Sequence, residues 1–136
     1  MEVSWVIIQH TKNILTEAMN LEKFQQYCLS LPGTSEGLPF DENTLVFYVM
    51  GKMFALTDIE EFESANLKCD PEQAIELRER YESVLPGYHM NKKHWNTVLF
   101  DGSIPDKLLL QWTKDSYDLV VAKLPKKVRE ELTGKS

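Results

Sequence analysis

Two runs rich in β-branched and aromatic residues, 44–50 and 53–58, stand back to back with only Gly51-Lys52 between them. Strands this close have no room for a crossover, so they must pair antiparallel. A two-residue connection with glycine first suits the positive φ that such a turn needs. Residues 65–69, Ala-Asn-Leu-Lys-Cys, alternate apolar and polar as a half-buried strand does. Residues 95–100 read as a further strand closed by Asp101-Gly102, and residues 36–40 as a short strand ahead of the hairpin.

Helices bracket these strands. Leu21, Phe24, Cys28 and Leu31 share one helical face, with Asn20 as N-cap and Pro32-Gly33 as the stop. Asp70-Pro71-Glu72-Gln73 predicts a second helix start, Asp70 capping, Pro71 in the first position and Gln73 reaching back. Its buried stripe would be Ala74, Leu77, Tyr81 and Val84, ending at Leu85-Pro86-Gly87. Ser103 is the expected cap of the last long helix, with Leu108, Leu109, Trp112, Leu119 and Val120 on its inner face and Pro125 at its end. Residues 126–132 read as a short terminal turn or helix. The order predicts an α+β fold, an antiparallel sheet of about 5–6 strands packed with three main helices.

The chain has 136 residues, about one domain, with a formal charge of −6. That charge disfavours a generic nucleic-acid binder, but residues 1–85 carry a net −9 and residues 86–136 a net +3. Such a split can hide a basic patch on an acidic protein, unless the halves interleave in the fold. Cys28 and Cys69 sit at apolar positions of periodic segments, which predicts two free thiols in a reducing compartment. The apolar run Val3-Ser4-Trp5-Val6-Ile7-Ile8 is shorter than the roughly 7–15 residues of a signal-peptide core. No stretch approaches the roughly 20 apolar residues of a membrane span. The expected location is the cytoplasm, with no membrane partner.

No nucleotide-binding glycine loop, zinc-protease helix, C-x-x-C pair or G-x-S-x-G elbow occurs in the chain. His10, His89 and His94 have no partner at metal-binding helical spacing. No catalytic residue, metal or cofactor is therefore assigned. Asp58, Glu60, Glu61 and Glu63 form a carboxylate run that reads as a solvated loop more readily than as a cation site. The most unusual segment is 87–96, Gly-Tyr-His-Met-Asn-Lys-Lys-His-Trp-Asn, between a helix and a strand. There Lys92, Lys93 and His94 are suited to phosphate contacts, while Tyr88 and Trp95 either stack on bases or fill the core. A second basic group, Lys123, Lys126, Lys127 and Arg129, follows near the C-terminus, where cations also complement a helix dipole.

Five ordered motifs make the chain resemble the MmcQ/YjbR family. They are Leu31-Pro32-Gly33-Thr34 with Gly37-Leu38-Pro39-Phe40; Gly51-Lys52-Met53-Phe54-Ala55; Asn66-Leu67-Lys68-Cys69-Asp70-Pro71-Glu72; the segment 86–98; and Ser116-Tyr117-Asp118-Leu119-Val120-Val121-Ala122-Lys123-Leu124-Pro125. The resemblance spans roughly residues 20–125 and implies a CyaY-like α+β fold. It also implies the family's description as DNA-binding proteins with a double-wing motif. Residues 1–19 are then an N-terminal extension and residues 20–132 a single domain.

The leading expectation is a non-catalytic DNA binder that contacts the phosphate backbone. Its candidate residues are Lys68, Lys92, Lys93, His94, Lys123, Lys126 and Lys127. Binding should be weak and salt-dependent, since each phosphate contact releases counterions. A protein-interaction or chaperone-like module is the first alternative and predicts an exposed apolar patch. A small-ligand binder or enzyme is the second and predicts a pocket near His89 and Ser116.

Overall fold

The structure, a computed structural model, describes residues 19–87 and 90–132. The 3–8 run, His10, Tyr88, His89 and the residues from Thr133 to Ser136 lie outside the described residues. Helix α1 (Leu21–Ser30) leads into strands β1 (Thr34–Gly37), β2 (Thr44–Val49), β3 (Lys52–Asp58) and β4 (Ser64–Lys68). Helix α2 (Pro71–Arg80), strands β5 (Val84–Pro86) and β6 (Trp95–Leu99), and helices α3 (Asp106–Ala122) and α4 (Lys126–Leu132) follow. The strands form one six-stranded sheet in the order β1-β2-β3-β4-β6-β5. Every pairing is antiparallel, as the short connections require. The fold is α+β.

The main core lies on the helix-covered face of the sheet. Phe47, Val49, Phe54, Leu67 and Val98 point into it and meet Phe24 and Cys28 of α1 and Leu109, Trp112, Tyr117 and Val120 of α3. Met19 is buried there too, 6% exposed, just ahead of α1. Phe54 and Tyr117 meet edge to face at 5.5 Å, and Phe24 and Phe47 at 5.7 Å. The opposite face holds a smaller cluster, Val46, Leu56 and Trp95, with Tyr48, Met53 and Met90 packed against it.

One irregularity ties the helices to the sheet. Phe47 pairs with Ala55 and Tyr48 with Met53, so Phe54 has no residue opposite it on β2. Such a bulge breaks the ladder locally. The Ser116 hydroxyl of α3 donates to the freed Phe54 carbonyl at 2.6 Å and accepts the Lys68 N–H at 2.8 Å. Ser116 is fully buried, so water cannot replace it easily. The residue named as a landmark for a small-ligand pocket is therefore a structural pin.

Several local expectations shift. Asn20 caps α1 as predicted, accepting from the Lys23 N–H at 2.8 Å. The hairpin turn is Met50-Gly51, both at positive φ (48° and 84°), so Lys52 becomes the first residue of β3. Met50 tolerates this because its N–H is held by the Gly33 carbonyl at 2.9 Å. Helix α2 stops at Arg80, and Val84 sits in β5 opposite Val98. Asp70 stands at the α2 N-cap with Pro71 behind it, but its side chain makes no capping hydrogen bond. Ser103 does not cap α3; its hydroxyl donates to Asp101 at 2.7 Å and meets the buried Ser83 hydroxyl at 2.6 Å. The hydrogen bonds from Ser83 and Ser103 hold the Asp101 carboxyl down at about 2.

Ser116→Ala should leave the Phe54 carbonyl and the Lys68 N–H unpaired in the interior. Each orphaned group costs roughly 1–3 kcal/mol, so urea denaturation should show a loss of about 2–6 kcal/mol. Exposed Ser35→Ala should stay within about 0.5 kcal/mol. A Ser116→Ala loss under about 1 kcal/mol would show that the pin is dispensable.

Candidate nucleic-acid interface

Charge in this fold separates by sheet end. The two sequence halves do interleave, since β4 pairs with both β3 and β6. Yet β3 begins, β4 ends and β6 begins at the same end, and α3 finishes there. Lys52 of β3, Lys68 of β4 and Lys123, the residue that ends α3, line one depression of about 280 Å³. Its floor is Met53, Trp95, Val120 and Leu124. The opposite end gathers Asp41, Glu42, Asp58, Glu60, Glu61 and Glu63. Its loops are knit together, the Asn43 carbonyl taking the Ile59 N–H at 2.8 Å and its side chain the Glu60 N–H at 2.7 Å.

The turn carrying Lys92, Lys93 and His94 adjoins the depression at Trp95. The Asn91 carbonyl accepts the N–H groups of His94 (3.0 Å) and Trp95 (2.9 Å), and its side chain accepts that of Lys93 at 2.9 Å. The His94 carbonyl then takes the Cys69 N–H at 2.7 Å, fixing the turn to the end of β4. Arg78 of α2 braces it from behind, donating to the Lys92 carbonyl and, at 2.7 Å, to Asn96 Oδ1. Lys92 and Lys93 are exposed and His94 is half-buried.

Of the sequence candidates, Lys68 and Lys123 line the depression, and Lys92, Lys93 and His94 stand beside it. Lys126 and Lys127 are exposed in the first turn of α4, just past Leu124, and are not among the lining residues. Arg129 turns back to donate to the carbonyls of Ala122 and Leu124, serving the end of α3. Trp95 opens β6 and is only 6% exposed, so it fills the core rather than offering a stacking face. Sequence reading missed Lys52. Its signal was present in the Met50-Gly51 turn, whose true register makes Lys52 a strand residue at the basic end.

The acidic run has a structural task. The Asp58 carboxylate accepts the N–H groups of Glu61 (3.0 Å), Phe62 (2.8 Å) and Glu63 (3.2 Å), closing a turn in which Phe62 has positive φ. Among the described residues no group of three His, Cys, Asp or Glu side chains is placed to hold a metal ion. Among them, too, no helix is long and apolar enough to cross a membrane.

The fold and its basic end define a small antiparallel α+β domain pinned by one long helix. A family model described as YjbR matches residues 29–119, and the chain belongs to that family. It is 34% identical over 115 residues to the uncharacterized protein YjbR of Escherichia coli K12, covering 84% of this chain and 98% of that one. It is 37% identical over 107 residues to the uncharacterized protein YbdF of Escherichia coli O157:H7, covering 78% and 88%. A crystal structure of Deinococcus radiodurans protein DR2400 superposes with a TM-score of 0.79 at 42% identity, covering 85% of this chain and 89% of that one. A crystal structure of a Pseudomonas syringae protein gives 0.63 at 29% identity, covering 74% and 98%.

Both cysteines are free thiols. Burial pushes the Cys28 thiol far above the usual range. Burial, then the negative charge of Asp70 and Asp115, pushes Cys69 up to about 11. Only the thiolate reacts with iodoacetamide, so labelling of Cys69 in the native protein should rise about tenfold per pH unit from roughly pH 7 to 10. Cys28 should label only after unfolding. Mass spectrometry of the labelled protein checks both, and a Cys69 rate that levels off near pH 9 would mark an unshifted thiol.

Proposed function

We propose that this protein binds the phosphate backbone of DNA at the basic end of its sheet, without catalysis. The observation that carries the reading is the convergence of Lys52 of β3, Lys68 of β4 and Lys123 at the end of α3 on one depression. Lysines are flexible point charges, suited to phosphates and poorly suited to a fixed bidentate pattern on a base edge. In a double-wing arrangement, the wings are the Met50-Gly51 turn, which leads into Lys52, and the 91–94 turn, which carries Lys92 and Lys93. The acidic end turns away from the duplex and limits the footprint to a few phosphates. Two free thiols fit a reducing, cytoplasmic setting. A protein-interaction role is the second reading, favoured by the exposure of Leu38 (49%) and Phe40 (62%) in the loop between β1 and β2.

Fluorescence anisotropy with a short labelled duplex, at low and at physiological salt, tests the first reading. Binding should be tolerant of sequence and fall steeply with salt. Lys52→Ala with Lys123→Ala alters two exposed side chains and should leave the melting temperature unchanged. It should flatten the salt slope by about 2 units, at roughly 0.9 per phosphate contact. No binding by the wild type at low salt, or an unchanged slope in the variant, would contradict the reading and favour the protein-interaction role.

A further inference from the structure

A second site lies on the helix-covered face, sharing only Lys68 with the basic depression. Helices α2 and α3 both cover that face, and at one end Tyr81 and Trp112 meet edge to face at 5.2 Å. Toward the start of α2 they part and leave a slot of about 70 Å³. A single water needs about 10–15 Å³ and a benzene ring a cavity of about 150 Å³, so the slot has room for a small branched alkyl group and not for an aromatic ring. Its floor is Leu67 and Val98, and its walls are Leu77, Trp112 and Leu119. Apolar walls with a few polar groups at the mouth are the usual form of a small-molecule site.

The mouth is acidic. Asp70 and Asp115 both line the slot and both are exposed at its rim. Asp70 occupies the α2 N-cap, where a carboxylate ordinarily bonds the free N–H groups of the first turn, yet it makes no such bond. Asp115 accepts one hydrogen bond, from Gln111 Nε2 at 2.9 Å, which leaves its second oxygen to other donors. The nearby Arg78 guanidinium is committed to Asn96 and the Lys92 carbonyl. Lys68 also borders the slot, but it alternates with core residue Leu67 and its side chain lies toward the basic depression.

We propose that this slot binds a small aliphatic ammonium ion, its alkyl group between α2 and α3 and its ammonium group held by Asp70 and Asp115. The alkyl group replaces water against Leu67, Val98 and Trp112, and the ammonium donates to two carboxylates that have acceptor capacity to spare. Asp70 and Asp115 line only the slot, and Lys52 and Lys123 only the basic depression, so either reading can fail without the other.

Isobutylamine is the probe, with isobutyl alcohol and isobutyrate as neutral and anionic matches of nearly the same shape. In ¹H–¹⁵N spectra isobutylamine should move the resonances of Cys69, Gln73, Leu77 and the Trp112 indole, with Kd on the order of 1 mM for a ligand this small. Saturating isobutylamine should also slow Cys69 alkylation by about tenfold, because the thiol lines the same slot. Isobutyl alcohol and isobutyrate should bind about tenfold more weakly or worse. Asp70→Asn with Asp115→Asn keeps the shape of two exposed side chains and should weaken isobutylamine by about tenfold or more. Shifts that map elsewhere, equal binding of isobutyl alcohol, or full binding by the double variant would each overturn the proposal.

Discussion

Ser116 holds together what the sheet alone would leave apart. Its hydroxyl spans the β3 bulge and the end of β4, taking the Lys68 N–H and giving to the Phe54 carbonyl. These two groups stand on neighbouring strands at the point where the ladder is broken. A helix could pack there on apolar contact alone, but its rotation and register would be loosely set. The buried hydrogen bonds remove that freedom. They also fix how far Lys123, at the end of α3 about two turns on, stands from Lys52 and Lys68. The basic depression is thus a consequence of core geometry.

Charge separation along the strands gives the molecule two unlike ends. One end carries Lys52, Lys68, Lys123 and the turn with Lys92 and Lys93, and the connections at the other carry the carboxylates of 41–42 and 58–63. A net charge of −6 therefore understates how positive one end is. Such a dipolar surface orients an approaching polyanion before contact and discourages binding along the flanks. The slot between α2 and α3 obeys the opposite sign, with Asp70 and Asp115 at its mouth.

Features set by neighbouring residues were legible in the sequence. The β2–β3 hairpin, the Asn20 cap, the Pro71 start of α2 and the core role of Trp112 all follow from local pattern. Features set by distant partners were not. Val84 continues the helical period after Tyr81, but its pairing with Val98 draws it into β5, and Pro86 disfavours helix at Leu85. Ser103 and Asp70 have the chemistry of caps, yet Ser103 is drawn to Asp101 and Ser83, and Asp70 leaves the helix uncapped. The halves' −9 and +3 charges hinted at a basic region, but the partition that matters runs by sheet end. Lys68 and Lys123 were found through motifs, while Lys52 needed the true turn register.

The central claim is that one end of this sheet meets a nucleic-acid backbone. The most direct measurement is a ¹H–¹⁵N titration of the protein with a short DNA duplex at low salt. The account predicts perturbations confined to Lys52, Lys68, the 91–94 turn and Lys123, with residues 58–63 unmoved. Perturbations centred on the acidic loops, or none at all, would contradict it.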